Sequence, residues 1–240
     1  MESLLEKTVG EIVASNYKAA DVFKKYGIDF CCGGKVGLSE VCNQKSISLA
    51  DIENDLKNLA SQAESAHDFD RWQPDFLADY IVNQHHTYVR ENIPVIVQYA
   101  QKVARVHGEN HPETVEINQL FQEVAMELDA HLQKEEKILF PYIKQLVATK
   151  SESNACMVSP FGTIANPIKM MEAEHETAGD ILRKIDTLSD NYTPPATACN
   201  TYRVLYAKLQ EFEADLHKHV HLENNILFPK ALQLEKVRRS

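Results

Sequence analysis

From residue 74 onward, apolar side chains recur every three or four positions through four long stretches, about 75–106, 112–148, 160–189 and 197–235. That period is the signature of an amphipathic α-helix. The segments HGENHP, KSESNACMVSP and SDNYTPPAT break the pattern, and connections this short favour an antiparallel four-helix bundle. Pro74 suits a helix start, and Pro94 predicts a kink or break about two turns after His86. Upstream the pattern predicts shorter helices, about 8–14, 17–26, 36–43 and 48–61. Gly27 closes the second, and Ser48 caps the fourth with Asp51 in its first turn. The polar, aperiodic run SQAESAHDFDRWQP reads as a connector. The expected organisation is all-α: an N-terminal helical domain over 1–61, a linker over 62–73 and a bundle over 74–240.

The apolar stripes of the bundle are interrupted by polar residues at regular places. HLQKEEKILFPYIKQL at 131–146 aligns without a gap on HVHLENNILFPKALQL at 219–234. Both copies read His-x-x-x-Glu-x-x-Ile-Leu-Phe-Pro, and the preceding helix of each half carries a histidine, His86 or His175. Positions i and i+4 share a helix face, so His131 pairs with Glu135 and His219 with Glu223. The predicted core-facing stripes run Val82, His86, Val89, Ile93, then Val124, Leu128, His131, Glu135, Ile138. The third and fourth run Ile168, Met171, His175, Ala178, Leu182 and Phe212, Leu216, His219, Glu223, Ile226.

Burying an uncompensated carboxylate costs several kcal/mol, and two in one core also repel. A lone core histidine is ordinarily a hydrogen-bonded packing residue, but six polar side chains in duplicate call for bound cations. Four imidazoles and two carboxylates without a thiolate disfavour a structural zinc site and suit iron or manganese. If both glutamates bridge two ions, each ion has two histidines and two carboxylate oxygens, and an oxo or hydroxo bridge leaves one position open. His85 competes with His86 but falls out of frame with Val82, Val89 and Ile93. His217 and His221 lie roughly 200° around the helix from His219, which predicts positions behind the ligands or at the surface. His67, His107 and His111 read as solvent-facing, and Glu174 as a surface residue with a lesser prospect of orienting a ligand.

The formal charge of −10 removes nucleic acid from the candidate partners, since phosphate binding needs a basic face. The one cationic cluster, Lys236, Arg238 and Arg239, reads as a frayed, solvated end. No stretch reaches the ~20 apolar residues of a membrane span, and the first residues carry no cationic leader. Five cysteines do not form an even framework, so a cytoplasmic location with reduced thiols is expected.

Tyr26-Gly27-Ile28-Asp29-Phe30-Cys31-Cys32-Gly33-Gly34 places adjacent thiols at a helix-to-turn junction. A disulfide between neighbours is strained and easily reduced. The glycines permit positive φ and let backbone amides point at the thiols, which predicts thiolate character. The plainer alternative is a pair of small buried residues beside a turn. Cys42 lacks supporting context, and Cys156 and Cys199 read as loop residues without a role.

The motifs KYGIDFCCGG (25–34), HHTYVRENIP (85–94), HLQKEEKILFP (131–141), EAEHETAG (172–179) and HVHLENNILFP (219–229) carry a likeness. On them the sequence resembles the iron–sulfur cluster repair di-iron proteins, the RIC family, over nearly its whole length. The resemblance implies a hemerythrin-like bundle behind a small domain bearing the cysteine pair. It implies two iron ions per chain held by His86, His131, Glu135, His175, His219 and Glu223, the glutamates bridging. It also implies restoration of clusters damaged by nitric oxide or peroxide, with damaged iron–sulfur proteins as clients and Cys31 and Cys32 in a thiol role. Two other readings stay open: a di-iron nitric oxide reductase or peroxide-scavenging enzyme, and a non-catalytic module sensing oxygen or nitric oxide. A homodimer is compatible with these features, though none of them specifies it.

Overall fold

The computed structural model describes residues 7–60, 69–148 and 161–239. Most of the 62–73 connector, His67, Cys156 and the segment between the second and third bundle helices lie outside the described residues. Among those described there are helices and turns and no strand, only an isolated bridge between Thr8 and Gly37. None of the helices is long and apolar enough to cross a membrane. The chain is all-α and divides into two compact units. One comprises the described residues up to Leu77 with those from Val220 on, the other Ala78–His219.

In the first unit, α1 (Val9–Ser15) begins at a capping box. The Glu11 amide donates to Thr8 Oγ1 at 3.2 Å, and the Thr8 amide donates to Glu11 Oε2 at 2.8 Å, so two amide groups that the helix leaves unbonded find acceptors. Helix α2 (Ala19–Lys25) ends as its sequence predicts. Gly27 takes φ +62°, and the Ile28 amide returns to the Phe23 carbonyl at 2.9 Å, an ending that a Cβ would penalise. Helices α3 (Leu38–Lys45) and α4 (Leu49–Ala60) complete the small domain around Phe23, Leu38 and Ile52. Asp55 on α4 ties back to α2 through Lys25 and the Tyr26 hydroxyl at 2.8 and 3.0 Å. Helix α1 packs against the turn Glu223–Leu227, which continues into α11 (Phe228–Arg239). Lys236 is thus helical rather than frayed.

The long rods are α5 (Pro74–Ile81), running on into α6 (Thr87–His107), then α7 (Glu113–Lys134) continued by α8 (Phe140–Ala148), then α9 (Ala165–Leu188) and α10 (Asn200–Leu222), and the second unit takes in this run from Ala78 to His219. They form a hemerythrin-like antiparallel bundle. Tyr202, at the start of α10, meets His107 at the end of α6, with ring centroids 5.3 Å apart, whereas His219 meets His86 near the opposite ends, at 4.9 Å. Phe121 and Phe212 fill the middle edge-to-face at 5.3 Å, a geometry that favours aromatic pairs. Helix α6 runs unbroken through Pro94. The proline lies on the exposed face, where water can take up the carbonyl it leaves unbonded, so the expected break does not occur.

Among the described residues three wide π turns interrupt the rods: Val82–His86, Glu135–Leu139 and Glu223–Leu227. The second and third each sit just ahead of a proline, Pro141 or Pro229. Proline has no amide hydrogen and collides with the carbonyl four residues back, and widening the turn relieves both problems. Nothing in the local sequence accounts for the first. Each wide turn shifts the register of the residues after it. Ile138, expected in the core stripe, is 50% exposed, while Leu139, Phe140 and Ile143 take the interior. Its counterpart Ile226 is buried, in the turn against which α1 packs.

Candidate metal centre

The second unit gathers five of the six expected ligands at one buried place. His86, from the end of the first wide turn, puts Nε2 3.2 Å from Nε2 of His219 on α10. His175 on α9 puts Nε2 3.0 Å from Nε2 of His131 on α7. Glu135 lies between the two pairs, its Oε2 3.4 Å from His86 Nε2 and 3.3 Å from His131 Nε2. The ligand atoms of His86, Glu135 and His219 all lie within 4.8 Å of one another, as do those of His131, Glu135 and His175. Two nitrogens each about 2.1 Å from one ion and at right angles are about 3 Å apart. The two imidazole pairs therefore have the spacing of neighbouring ligands, and one carboxylate oxygen lies within reach of both. Glu223 is also wholly buried, four residues beyond His219 and first in the wide turn that follows α10, so the His131–Glu135 spacing is repeated.

The outer ring nitrogens show which face of each imidazole is committed inward. His131 Nδ1 lies 2.9 Å from Glu174 Oε2, and His86 Nδ1 lies 2.7 Å from Glu136 Oε1. A carboxylate accepting from Nδ1–H fixes the tautomer and leaves the Nε2 lone pair to face a cation. The His131 hydrogen bond, aided by Lys134, holds the Glu174 carboxyl at about 2 against the desolvation that opposes it. Glu136 is also held below its ordinary value. Partial burial opposes this shift, but hydrogen bonds from Arg90 and His86 outweigh it. Glu174 is therefore a half-buried partner of His131 rather than a free surface residue. Glu136 had no sequence signal beyond standing next to Glu135. A cavity of about 240 Å³, lined by Glu127, His131, Lys134, Glu174, His175 and Thr177, opens beside the His131–His175 pair.

The competing histidines separate cleanly. His85 is as buried as His86, but its Nδ1 binds Asp215 Oδ1 at 2.9 Å and its ring stacks on His219 at 5.7 Å. His221 lies buried rather than at the surface, against the rings of Tyr17 and Phe30, with Nδ1 3.0 Å from Asn225 Nδ2. Desolvation pushes its pKa down to about 4, keeping it neutral. His107 meets the exposed Cys199, Nε2 to Sγ 3.3 Å. His111 binds Glu113 at 3.0 Å.

The cysteine pair differs from expectation in its electrostatics. Both thiols are reduced, with Sγ atoms 4.0 Å apart. The amides of Cys31 and Cys32 donate not to sulfur but to Asp29 Oδ1, each at 3.0 Å, and that same oxygen lies 3.1 Å from Cys31 Sγ. The hydrogen bond with Cys32, burial and the Asp29 charge together push the Cys31 thiol up, the reverse of thiolate activation. Gly33 and Gly34 do not adopt positive φ. Gly34 is required for close approach instead: a Cβ there meets Asn225 Oδ1 at 2.6 Å, and one at Gly10 meets it at 2.4 Å. Asn225 uses that closeness to donate to the carbonyls of Phe30 (3.1 Å) and Cys31 (3.3 Å).

Residues 77–231 match a family model described as the hemerythrin HHE cation binding domain, and residues 5–60 match one described as a domain of unknown function, DUF542. Fold and donor set thus define a hemerythrin-like, cation-binding helical bundle behind a small helical domain. A probable iron–sulfur cluster repair protein of Haemophilus influenzae is 37% identical over 96% of this chain and 98% of its own. Proteins named iron–sulfur cluster repair protein YtfE from Edwardsiella ictaluri and Musicola paradisiaca are 38% and 36% identical, covering 95% and 96% of this chain and 97% and 98% of theirs. The chain belongs to the family of iron–sulfur cluster repair proteins.

Proposed function

We propose that residues 74–240 hold two iron ions through His86, His131, Glu135, His175, His219 and Glu223, with both glutamates bridging. In this reading the protein supplies iron to iron–sulfur clusters damaged by nitrosative or oxidative stress. The observation that carries it is the position of Glu135 Oε2, 3.3–3.4 Å from one imidazole of each pair. A carboxylate wholly buried in an apolar bundle is tolerable when cations compensate it. Glu223 enters by symmetry, because it repeats the His-x-x-x-Glu spacing one repeat later and is equally buried. The names of the relatives supply the client class.

Iron bound there supplies Lewis acidity and coordination positions that exchange. The chain does the rest. Glu136 and Glu174 hold the Nδ1 protons of His86 and His131, so that Nε2 faces inward, and the apolar bundle excludes competing water. The residues 1–61, joined through 62–73, bring the Cys31–Cys32 thiols as acceptors of iron in the transfer.

The test is to mix anaerobically purified, iron-loaded protein with a cluster enzyme in its apo or nitrosylated form. Activity should return in proportion to protein-bound iron, and recovery that is equal with iron-free protein overturns the donor role. Mössbauer spectroscopy on the same material should show two coupled irons per chain. The 240 Å³ cavity beside His131 and His175 favours a second reading, in which nitric oxide or peroxide reaches the centre and is turned over. Anaerobic single-turnover assays for nitrous oxide or for peroxide loss separate the two readings.

A further inference from the structure

We propose that Asp29, Cys31 and Cys32 form a second metal site, built for one thiophilic divalent cation and separate from the histidine–glutamate centre. Their ligand atoms all lie within 4.8 Å of one another. The two sulfurs are 4.0 Å apart, and Asp29 Oδ1 lies 3.1 Å from Cys31 Sγ. A tetrahedral ion with metal–sulfur bonds of about 2.3 Å requires sulfurs about 3.8 Å apart, and a carboxylate oxygen about 3.5 Å from each sulfur. Two sides of the triangle stand within a few tenths of an ångström of those lengths, and the third is under 4.8 Å. A disulfide, by contrast, needs the sulfurs near 2.05 Å.

The surroundings hold the triangle in place, as outer groups do at built metal sites. The Cys31 and Cys32 amides both donate to Asp29 Oδ1 and fix the carboxylate over the thiols. Asn225 fastens the same loop from behind through the carbonyls of Phe30 and Cys31, seated where Gly10 and Gly34 leave room for it. Cys31 is buried, while Cys32 and Asp29 are partly exposed, so a cation enters from the Cys32 side and a fourth position faces solvent. Binding is a ligand exchange with no redox change: the cation gains two thiolates and one carboxylate, and two thiol protons leave. Two sulfur donors select a softer ion than the imidazole–carboxylate centre does. That the natural occupant is ferrous iron on its way to a client rests on the repair reading; the existence of the site does not.

The test uses the full chain, reduced and anaerobic, with the bundle already loaded and its iron counted. Cobalt(II) is the probe. One further equivalent should bind, with a thiolate-to-cobalt charge-transfer band, release of two protons in weak buffer and protection of Cys32 from alkylation. The band should vanish in C31S and in C32S. In D29N, which keeps the shape of the side chain, affinity should fall at least tenfold with helicity unchanged. The proposal is overturned by a parent protein that shows no thiolate band, by a band that survives in the C31S/C32S double variant, or by equal affinity in D29N. A histidine–carboxylate centre produces no such band. An iron-free bundle would therefore sink the repair reading while leaving the cobalt result to stand on its own.

Discussion

Replacing Glu174 by alanine should loosen one cation of the bundle without unfolding it. The side chain makes two contacts that matter, its Oε2 to His131 Nδ1 at 2.9 Å and its Oε1 to Lys134. The Lys134 pair is at the surface, where ion pairs contribute little, so the consequence comes through His131. Without an acceptor at Nδ1 the imidazole loses its tautomer preference, its fixed ring orientation and part of its basicity. Removing such a partner typically lowers metal affinity 10–100-fold, about 1.4–2.7 kcal/mol. Because Glu174 is partly exposed, water can replace part of the lost interaction, and the lower end is expected. E174Q should cost less again, since an amide oxygen still accepts from Nδ1–H. The effect should be confined to the side held by His131 and His175. E136A should act on the side held by His86 and His219, because Glu136 accepts from His86 Nδ1 at 2.7 Å. Anaerobic competition against a coloured ferrous chelator, read as a two-phase release, measures this directly. An unchanged release curve in E174A, with helical content intact, would refute the orienting role.

E135L should abolish metal binding yet leave the metal-free protein as stable as the parent or more so, by up to about 1–4 kcal/mol, because a buried charge is exchanged for an apolar side chain of similar size. Paired thermal melts with and without metal decide this, and a destabilised metal-free E135L would count against the compensation argument. Thorough chelation of the parent should remove about 4 kcal/mol if metal is present at a thousand times its dissociation constant, a drop in Tm on the order of 10 °C. N225A removes two bonds to the Phe30 and Cys31 carbonyls and should cost about 1–3 kcal/mol, seen as a lower denaturant midpoint and faster alkylation of Cys32. Asp55 is held below its ordinary pKa by hydrogen bonds from Lys25 and Tyr26. Its contribution is therefore present above the ordinary carboxylate value and is lost as pH falls through the lowered one. The stability gap between parent and D55N should narrow as pH drops below about 4, and a gap that widens there would contradict the assignment.

The helices and the inward stripes were legible because their cause is local. Ile168, Met171, His175, Ala178 and Leu182 are all buried as the 3.6-residue period requires. The wide turns were not legible, although Pro141 and Pro229 were in view, because whether a helix answers a proline by breaking, bending or widening depends on what packs against it. Ile138 and Ile226 make the point: the same residue in the same motif is exposed in one copy and buried in the other. Glu136 and Glu174 could not be assigned, because each acts across to another helix, 50 and 43 residues away in sequence. The electrostatics of Cys31 escape the sequence for a related reason. The glycine-rich sequence showed that amides would be available, but not that the Asp29 carboxylate would take them.

The two copies of the repeat differ where their tasks differ. Between the shared histidine and the shared Ile-Leu-Phe-Pro, and apart from Leu132 against Val220, the first copy has Gln133, Lys134, Glu136 and Lys137 where the second has His221, Leu222, Asn224 and Asn225. In the first copy Glu136 accepts from His86, and Lys134 pairs with Glu174, which holds His131. These residues hold the rings of His86 and His131 in place. In the second copy His221 is neutral and packed among Tyr17 and Phe30, and Asn225 binds the cysteine loop. These substitutions put neutral side chains in place of mostly charged ones: His221, Leu222 and Asn224 are buried, and Asn225 is half-buried against the cysteine loop. A lysine in place of Asn225, as in the first copy, would bring an ammonium group against Gly10 and Gly34, where a single added Cβ already collides. The duplicated helix has thus kept one histidine–glutamate pair in each copy and turned the rest of the second copy into a mount for the thiols. The mounting residues come directly after Glu223, so the wide turn that carries the proposed bridging carboxylate also carries the fastening of the cysteine loop.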